Sequence, residues 1–181
     1  MKHALIVSLG AFALTACGGG ATDADADGDG SVTAEEAREA IEASGDELKP
    51  LPGKYKSTMT FVDAEIPGAP EEMKAMMGNA MNVTSEFCLT EEDAAGGFKE
   101  SIEKGRSDAC EINSFNIDGS KVDMKMSCNE NGTGDMLIAM NGNVTPTKQD
   151  MDMKMDGEMP GLGAVKIEMS FVQERIGECD A

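Results

Sequence analysis

Six oxygen-bearing side chains lie close together near the amino-terminal end of the chain, five of them two residues apart and the last three residues further on, and their chemistry suits a hard metal cation. They are Asp25, Asp27, Asp29, Ser31, Thr33 and Glu36. A calcium ion takes six to eight oxygen ligands, and carboxylates at alternating positions can wrap around one ion. Residues 25–36 are therefore the candidate ligands of one Ca²⁺ ion.

This segment resembles the calcium loop of the EF-hand family position by position. Its three aspartates fall at positions 1, 3 and 5, and Gly30 falls at position 6, where the loop turns sharply. The resemblance implies that Ser31, at position 7, offers its backbone carbonyl and that Thr33, at position 9, reaches the ion directly or through water. It also implies that Glu36, at position 12, binds through both carboxylate oxygens.

The residues around the loop match only part of an EF-hand. Residues 34–43 are rich in Ala and Glu and predict the exiting helix, with Gly45 as its stop, but residues 18–24 are too few for an entering helix. Val32, at position 8, normally pairs with a partner loop, and no second loop occurs in the chain. A lone loop predicts weak binding, with Kd about 10⁻⁴–10⁻³ M. The alternative interpretation is a solvated acidic linker.

The first residues predict export and lipidation. Residues 1–16 carry Lys2 and a short apolar stretch over residues 4–13, which is typical of a signal peptide. The stretch ends in Leu-Thr-Ala-Cys, which resembles a bacterial lipobox and implies acyl chains on Cys17. Gly18 is not Asp, the residue that retains lipoproteins in the inner membrane of enteric bacteria, so we expect an outer-membrane anchor facing the periplasm. The alternative is an ordinary signal peptide with a coincidental Cys17.

Composition excludes several classes of function. The 181 residues carry 34 acids against 15 Lys plus Arg, and this net charge of −19 repels phosphate backbones, so we expect no nucleic-acid partner. The single histidine, His3, lies in the predicted signal peptide. Mature protein would therefore lack imidazole for catalysis or metal binding, and the sequence holds no nucleophile elbow or phosphate loop. We do not expect an enzyme.

The rest of the chain predicts a mainly β fold. A lipidated acidic tail, residues 17–48, ends at the Pro-rich segment 49–53, and residues 53–181 then alternate polar and apolar residues. That period of two predicts an antiparallel meander of about seven strands, in an open or partly closed curled sheet around a Met-rich core. Turn signals between strands are Asp118-Gly119, Asn131-Gly132, Asn141-Gly142 and Asp156-Gly157. Two short helices are predicted, over residues 70–80 and from Thr90 toward Gly105.

The methionine spacing leaves two further interpretations open. Met124-Lys125-Met126 and the alternating Met151, Met153 and Met155 resemble copper(I) sites of periplasmic metal-handling proteins. The same side chains fit a half-buried strand face, where methionine fills irregular cores. A lipocalin-like pocket lined by methionine would instead bind a small apolar ligand.

Four cysteines after Cys17 predict two disulfides in an exported protein. A three-residue turn over residues 118–120 would pair Ile117 with Lys121 and place Cys110 opposite Cys128. A two-residue Asp-Gly turn would miss by one residue unless a bulge near Asn113-Ser114 restored the match. We therefore predict Cys110–Cys128, which leaves Cys88–Cys179 to tie the last strand back.

The segment from Pro52 to Cys179 resembles a family of uncharacterised proteobacterial envelope proteins. The residues that carry the likeness are Pro52-Gly53-Lys54-Tyr55, Ile66-Pro67-Gly68-Ala69-Pro70, Cys88-Leu89-Thr90-Glu91-Glu92-Asp93-Ala94 and Gly177-Glu178-Cys179. Tyr55 occupies a position of this family where we expect Trp as often as Tyr. The resemblance implies an exported β-rich domain with paired cysteines and implies no activity. Together these features predict a lipid-anchored periplasmic calcium-binding protein whose β domain binds an envelope protein or a small apolar ligand.

Overall fold

The computed structural model describes residues 22–96, 110–129, 135–159, 161 and 163–179. Within them lie eight strands, three α-helices and a 3₁₀ helix over Gly45–Glu47. The strands are β1 (Thr22–Asp23), β2 (Gly53–Glu65), β3 (Val83–Leu89), β4 (Cys110–Asp118), β5 (Lys121–Asn129), β6 (Asp135–Thr145), β7 (Lys148–Met159) and β8 (Gly163–Gly177). The helices are α1 (Ala34–Ala43), α2 (Glu71–Met81) and α3 (Glu91–Gly96). Cys17, the signal peptide and the Asn131-Gly132 turn signal lie outside the described residues.

The strands form one open antiparallel sheet in the order β1-β4-β5-β6-β7-β8-β2-β3. The prediction of a mainly β, antiparallel fold is confirmed, and the sheet is open rather than closed. The prediction of a simple meander is wrong in one respect. Strands β4 to β8 are neighbours in chain order, and so are β2 and β3, but the last strand β8 pairs with β2 over Lys54–Glu65 and β1 pairs with β4.

Two of the predicted turns are wrong. Gly142 lies inside β6 and Gly157 lies inside β7, each in continuous pairing with its neighbours. The physical reason is close backbone approach, since a Cβ at Gly142 would overlap the carbonyl oxygen of Asp150 and a Cβ at Gly157 would crowd that of Asp135. A glycine in a strand can mark such an approach as well as a turn.

The cysteine pairs are those predicted from the sequence. Cys110 is bonded to Cys128, with Cα atoms 4.0 Å apart, and Cys88 is bonded to Cys179, with Cα atoms 5.6 Å apart. The turn that sets the first pair differs from the predicted three-residue turn. Asp118 pairs with Lys121 across a two-residue turn, and a bulge between Ile112 and Ser114 brings Cys110 into register with Cys128.

One face of the sheet is apolar and carries two hydrophobic clusters. The first joins the tail to β4 and β5, and its most buried members include Ala37, Leu48 and Ile117. The second lies under α2 around Ile167 and Val165 of β8. The opposite face carries charged pairs across strands, such as Lys154 with Glu168 at 2.8 Å. The tail on one side of the predicted boundary at residues 49–53 thus shares a core with the sheet on the other side.

Helix bounds follow the sequence signals closely. Helix α1 spans Ala34–Ala43 as predicted, and α2 spans Glu71–Met81 against the predicted 70–80. Helix α3 covers Glu91–Gly96, and the remainder of its predicted span lies outside the described part of the chain. Of the helices described, none is long and apolar enough to cross a membrane.

Candidate metal centre

The predicted loop is held to the sheet at both of its ends. Before the loop, Thr22 pairs with Ile117 as strand β1, and the Ala24 amide donates to the Phe115 carbonyl oxygen at 2.9 Å. After the loop, the Val32 amide donates to the Ile112 carbonyl oxygen at 2.7 Å. Strand β4 therefore anchors both ends of the loop formed by residues 25–31.

Asp25 organises the backbone of the loop. Its Oδ1 accepts from the amides of Gly28 at 2.8 Å and Asp29 at 3.1 Å, and its Oδ2 accepts from the Gly30 amide at 3.1 Å. Gly28 and Gly30 have φ values of 73° and 87°, a left-handed conformation that favours glycine. These hydrogen bonds fold the chain around the first carboxylate.

Three carboxylates converge in this loop. Oxygen atoms of Asp25, Asp27 and Asp29 lie within 4.8 Å of one another, and the Asp27 and Asp29 side chains are exposed. Like charges at this distance repel, and a bound cation would relieve the repulsion. The arrangement therefore suits a divalent cation chemically.

Ser31 supports the third aspartate. Its amide donates to Asp29 Oδ1 at 2.8 Å, and its hydroxyl donates to the same oxygen at 2.9 Å. These two hydrogen bonds lower the pKa of Asp29 below its ordinary value, because they favour the ionised carboxylate. The side chain of Ser31 thus acts on Asp29, whereas the sequence prediction concerned its carbonyl oxygen.

Glu36 takes part in the cap of helix α1. Its Oε2 accepts from the amide and the hydroxyl of Thr33, each at 2.8 Å, while the Glu36 amide donates to Thr33 Oγ1 at 3.2 Å. This capping box lowers the pKa of Glu36, and the Ala26 amide lowers it further, whereas the charge of Asp29 raises it. Its carboxylate therefore faces the loop but lies outside the group of three converging aspartates.

Sequence reasoning identified the loop residues but missed what supports them. Strand β1 was not predicted, and neither was the contact of Val32 with β4. A signal was present in the sequence, because the apolar residues Ala24 and Val32 stand on either side of residues 25–31. In the structure both are buried, 3% and 5% exposed. An apolar residue on each side of a charged loop is consistent with two anchoring points.

Residues 50–179 match a protein family described as a protein of unknown function, DUF3617. The match spans β2 to β8 and both disulfides, and it begins after the acidic loop. No curated protein and no solved structure gives a significant match to the chain.

Proposed function

The chain belongs to the DUF3617 family, whose description assigns no activity, and from its own residues we propose that it is a lipid-anchored calcium-binding protein of the bacterial envelope. The observation that carries the proposal is the convergence of three carboxylates within 4.8 Å in a loop held at both ends. In this proposal the β domain binds or supports another envelope component and catalyses no reaction.

The donor set has the size that calcium requires. One oxygen from each of Asp25, Asp27 and Asp29, the Ser31 carbonyl, Thr33 directly or through water, and two oxygens from Glu36 would give about seven ligands. The aspartate part of this set is already folded, because backbone amides of the loop donate to Asp25 and Asp29. Little rearrangement of these residues is therefore needed when an ion binds.

Glu36 sets the expected affinity. To bind through both oxygens, its carboxylate must exchange its hydrogen bonds with Thr33 for the ion, and this exchange costs part of the binding free energy. Among the described residues no helix leads into the loop and no second such loop pairs with it, although β4 restrains its ends. We expect Kd in the range of about 10⁻⁴–10⁻³ M.

An envelope location is supported by the disulfides and by the amino-terminal sequence. Disulfides such as Cys88–Cys179 persist mainly in oxidising compartments. If Cys17 carries acyl chains, the five peptide units from Cys17 to Thr22 reach at most about 18 Å. The anchor would therefore hold β1 and the calcium loop close to the membrane surface, in our proposal the periplasmic face of the outer membrane.

Calorimetric titration of the full chain with calcium chloride tests the proposal. We expect heat corresponding to one ion per chain, lost in the double variant Asp25→Asn/Asp27→Asn. The matched control is Asp123→Asn/Asp152→Asn, which removes the same charge from strands β5 and β7 and should leave calcium binding unchanged. Absence of heat from the unmodified chain, or equal loss in both variants, would overturn the proposal.

A further inference from the structure

We propose that neighbouring methionines in one row across the sheet, with Met140 and Met153 at its centre, bind a soft monovalent metal ion, copper(I). The row consists of Met124, Met140, Met153 and Met169. It is separate from the acidic loop, so this inference does not depend on calcium binding.

Strand register creates the row. Met124 of β5 is directly opposite Met140 of β6, Met140 is opposite Met153 of β7, and Met153 is opposite Met169 of β8. Side chains of directly opposed residues share a face, with Cβ atoms about 4.5–5.5 Å apart. Methionines two apart along one strand are farther from each other, at about 6.6 Å. The sequence shows the spacing along strands, whereas the structure shows the closer row across them.

The surroundings of the row suit a soft cation. The next rows along the strands pair Met126 with Ile138 on one side and Met151 with Phe171 on the other. These residues supply hydrocarbon and thioether groups and no carboxylate. Thioether sulfur selects copper(I), whereas calcium and magnesium require oxygen ligands.

The row is also reachable from solvent. Met124, Met140 and Met153 are half-buried, while Met169 is 9% exposed. Met124 packs against the first hydrophobic cluster, Met153 packs against the second, and Met169 is a buried member of the second. The row therefore crosses the strip between the two clusters, where a thioether can be both shielded and accessible.

The cysteine sulfurs of the described residues are already committed. Cys88, Cys110, Cys128 and Cys179 form the two disulfides, so they offer no thiolate. Two surface depressions, one lined by β2 and α2 and the other by the ends of β4, β5 and β6, contain none of the four methionines of the row. Methionine thioethers are thus the soft donors that the sheet provides, and the row is where four of them are directly opposed.

The test is competition for copper(I) against a coloured chelator, under nitrogen with ascorbate, using the full chain with Cys17→Ser in every sample to remove that thiol. We expect one copper(I) per chain. The double variant Met140→Leu/Met153→Leu conserves volume and apolar character and should weaken binding by at least about tenfold.

The matched control is Met73→Leu/Met76→Leu on α2, where the side chains are 38% and 73% exposed; it should bind copper(I) as tightly as the unmodified chain. Carbon-13 labelling of the methionine methyl groups gives a second readout, since the signals of Met140 and Met153 should shift on copper addition while that of Met76 does not. No uptake by the unmodified chain, or equal affinity of the row variant and the unmodified chain, would overturn the inference.

Discussion

Val32 and Ile112 form an isolated antiparallel bridge that fastens the acidic loop to strand β4. The Val32 amide donates to the Ile112 carbonyl oxygen at 2.7 Å, and the two residues are 5% and 7% exposed. Val32, which the EF-hand resemblance would place against a partner loop, contacts a strand of the β domain. The tail up to Leu48 is consequently part of the folded core and shares a hydrophobic cluster with the sheet.

Truncation of Val32 should destabilise the fold. Val32→Ala removes two buried methyl groups and should lower the free energy of unfolding by about 2 kcal/mol. Val62→Ala is the matched control, because Val62 is 57% exposed and the same truncation should change the free energy of unfolding by less than about 0.5 kcal/mol. Denaturant unfolding measures both. Equal effects would show that the tail does not belong to the cooperative core.

Acid should loosen the loop and the start of α1. The folded-state pKa values of Asp29 and Glu36 are lowered by hydrogen bonds from Ser31 and Thr33 respectively. A carboxyl with a lowered folded pKa stabilises the fold above its unfolded pKa, and this contribution is lost as the pH falls through the folded value. The loss should therefore begin below about pH 4.5, the ordinary range of carboxyl pKa values.

Carbon-13 titration of the side-chain carboxyl groups without calcium checks this. Ser31→Ala should raise the midpoint of Asp29 toward its ordinary pKa and change that of Glu36 much less. Thr33→Ala should raise the midpoint of Glu36 toward its ordinary pKa and change that of Asp29 much less. Midpoints at ordinary values in the unmodified chain would contradict the hydrogen-bonded loop described above.

Gly142 should not tolerate a side chain. A Cβ at this position overlaps the Asp150 carbonyl oxygen, so Gly142→Ala should lower the free energy of unfolding by about 2 kcal/mol or more. Gly177→Ala is the control, since a Cβ at Gly177 meets no atom within 4 Å. Thermal unfolding of the two variants compares them, and equal stability would refute the close approach of β6 and β7.

Tyr55 should titrate at unusually high pH. Its hydroxyl donates to the Leu51 carbonyl oxygen at 2.7 Å, and burial raises its pKa above the ordinary value, with Arg175 opposing part of this shift. The chain has one tyrosine and no tryptophan, so ultraviolet absorbance reports this group alone. We expect a midpoint above about 10. Tyr55→Phe should abolish the signal, and a midpoint below 10 in the folded chain would contradict the burial of this hydroxyl.

Local signals in the sequence sufficed for some features. The helix from Ala34 to Ala43 and the pairing of Cys110 with Cys128 depend on neighbours in sequence or across one hairpin. The pairing of β8 with β2 depends on contacts between segments that are distant in the chain, which periodicity does not encode. Gly142 was misread because a glycine needed for close strand approach and a glycine in a turn look alike in a sequence.

The ligand set was only partly accessible from the sequence. Spacing identified Asp25, Asp27 and Asp29, which the fold brings together. It could not show that the Glu36 carboxylate is bound to Thr33 in the ion-free chain, because a capping box and an EF-hand loop both place Glu three residues after Thr. The calcium role of Glu36 remains a prediction.

A crystal structure grown with about 10 mM calcium chloride, roughly tenfold above the weakest expected Kd, tests the calcium site most directly. The account predicts one ion in an anomalous difference map, with oxygens of Asp25, Asp27, Asp29 and Glu36 at about 2.3–2.6 Å and the Glu36 carboxylate turned away from the Thr33 amide. An empty loop at this concentration, with Glu36 still bound to Thr33, would contradict it.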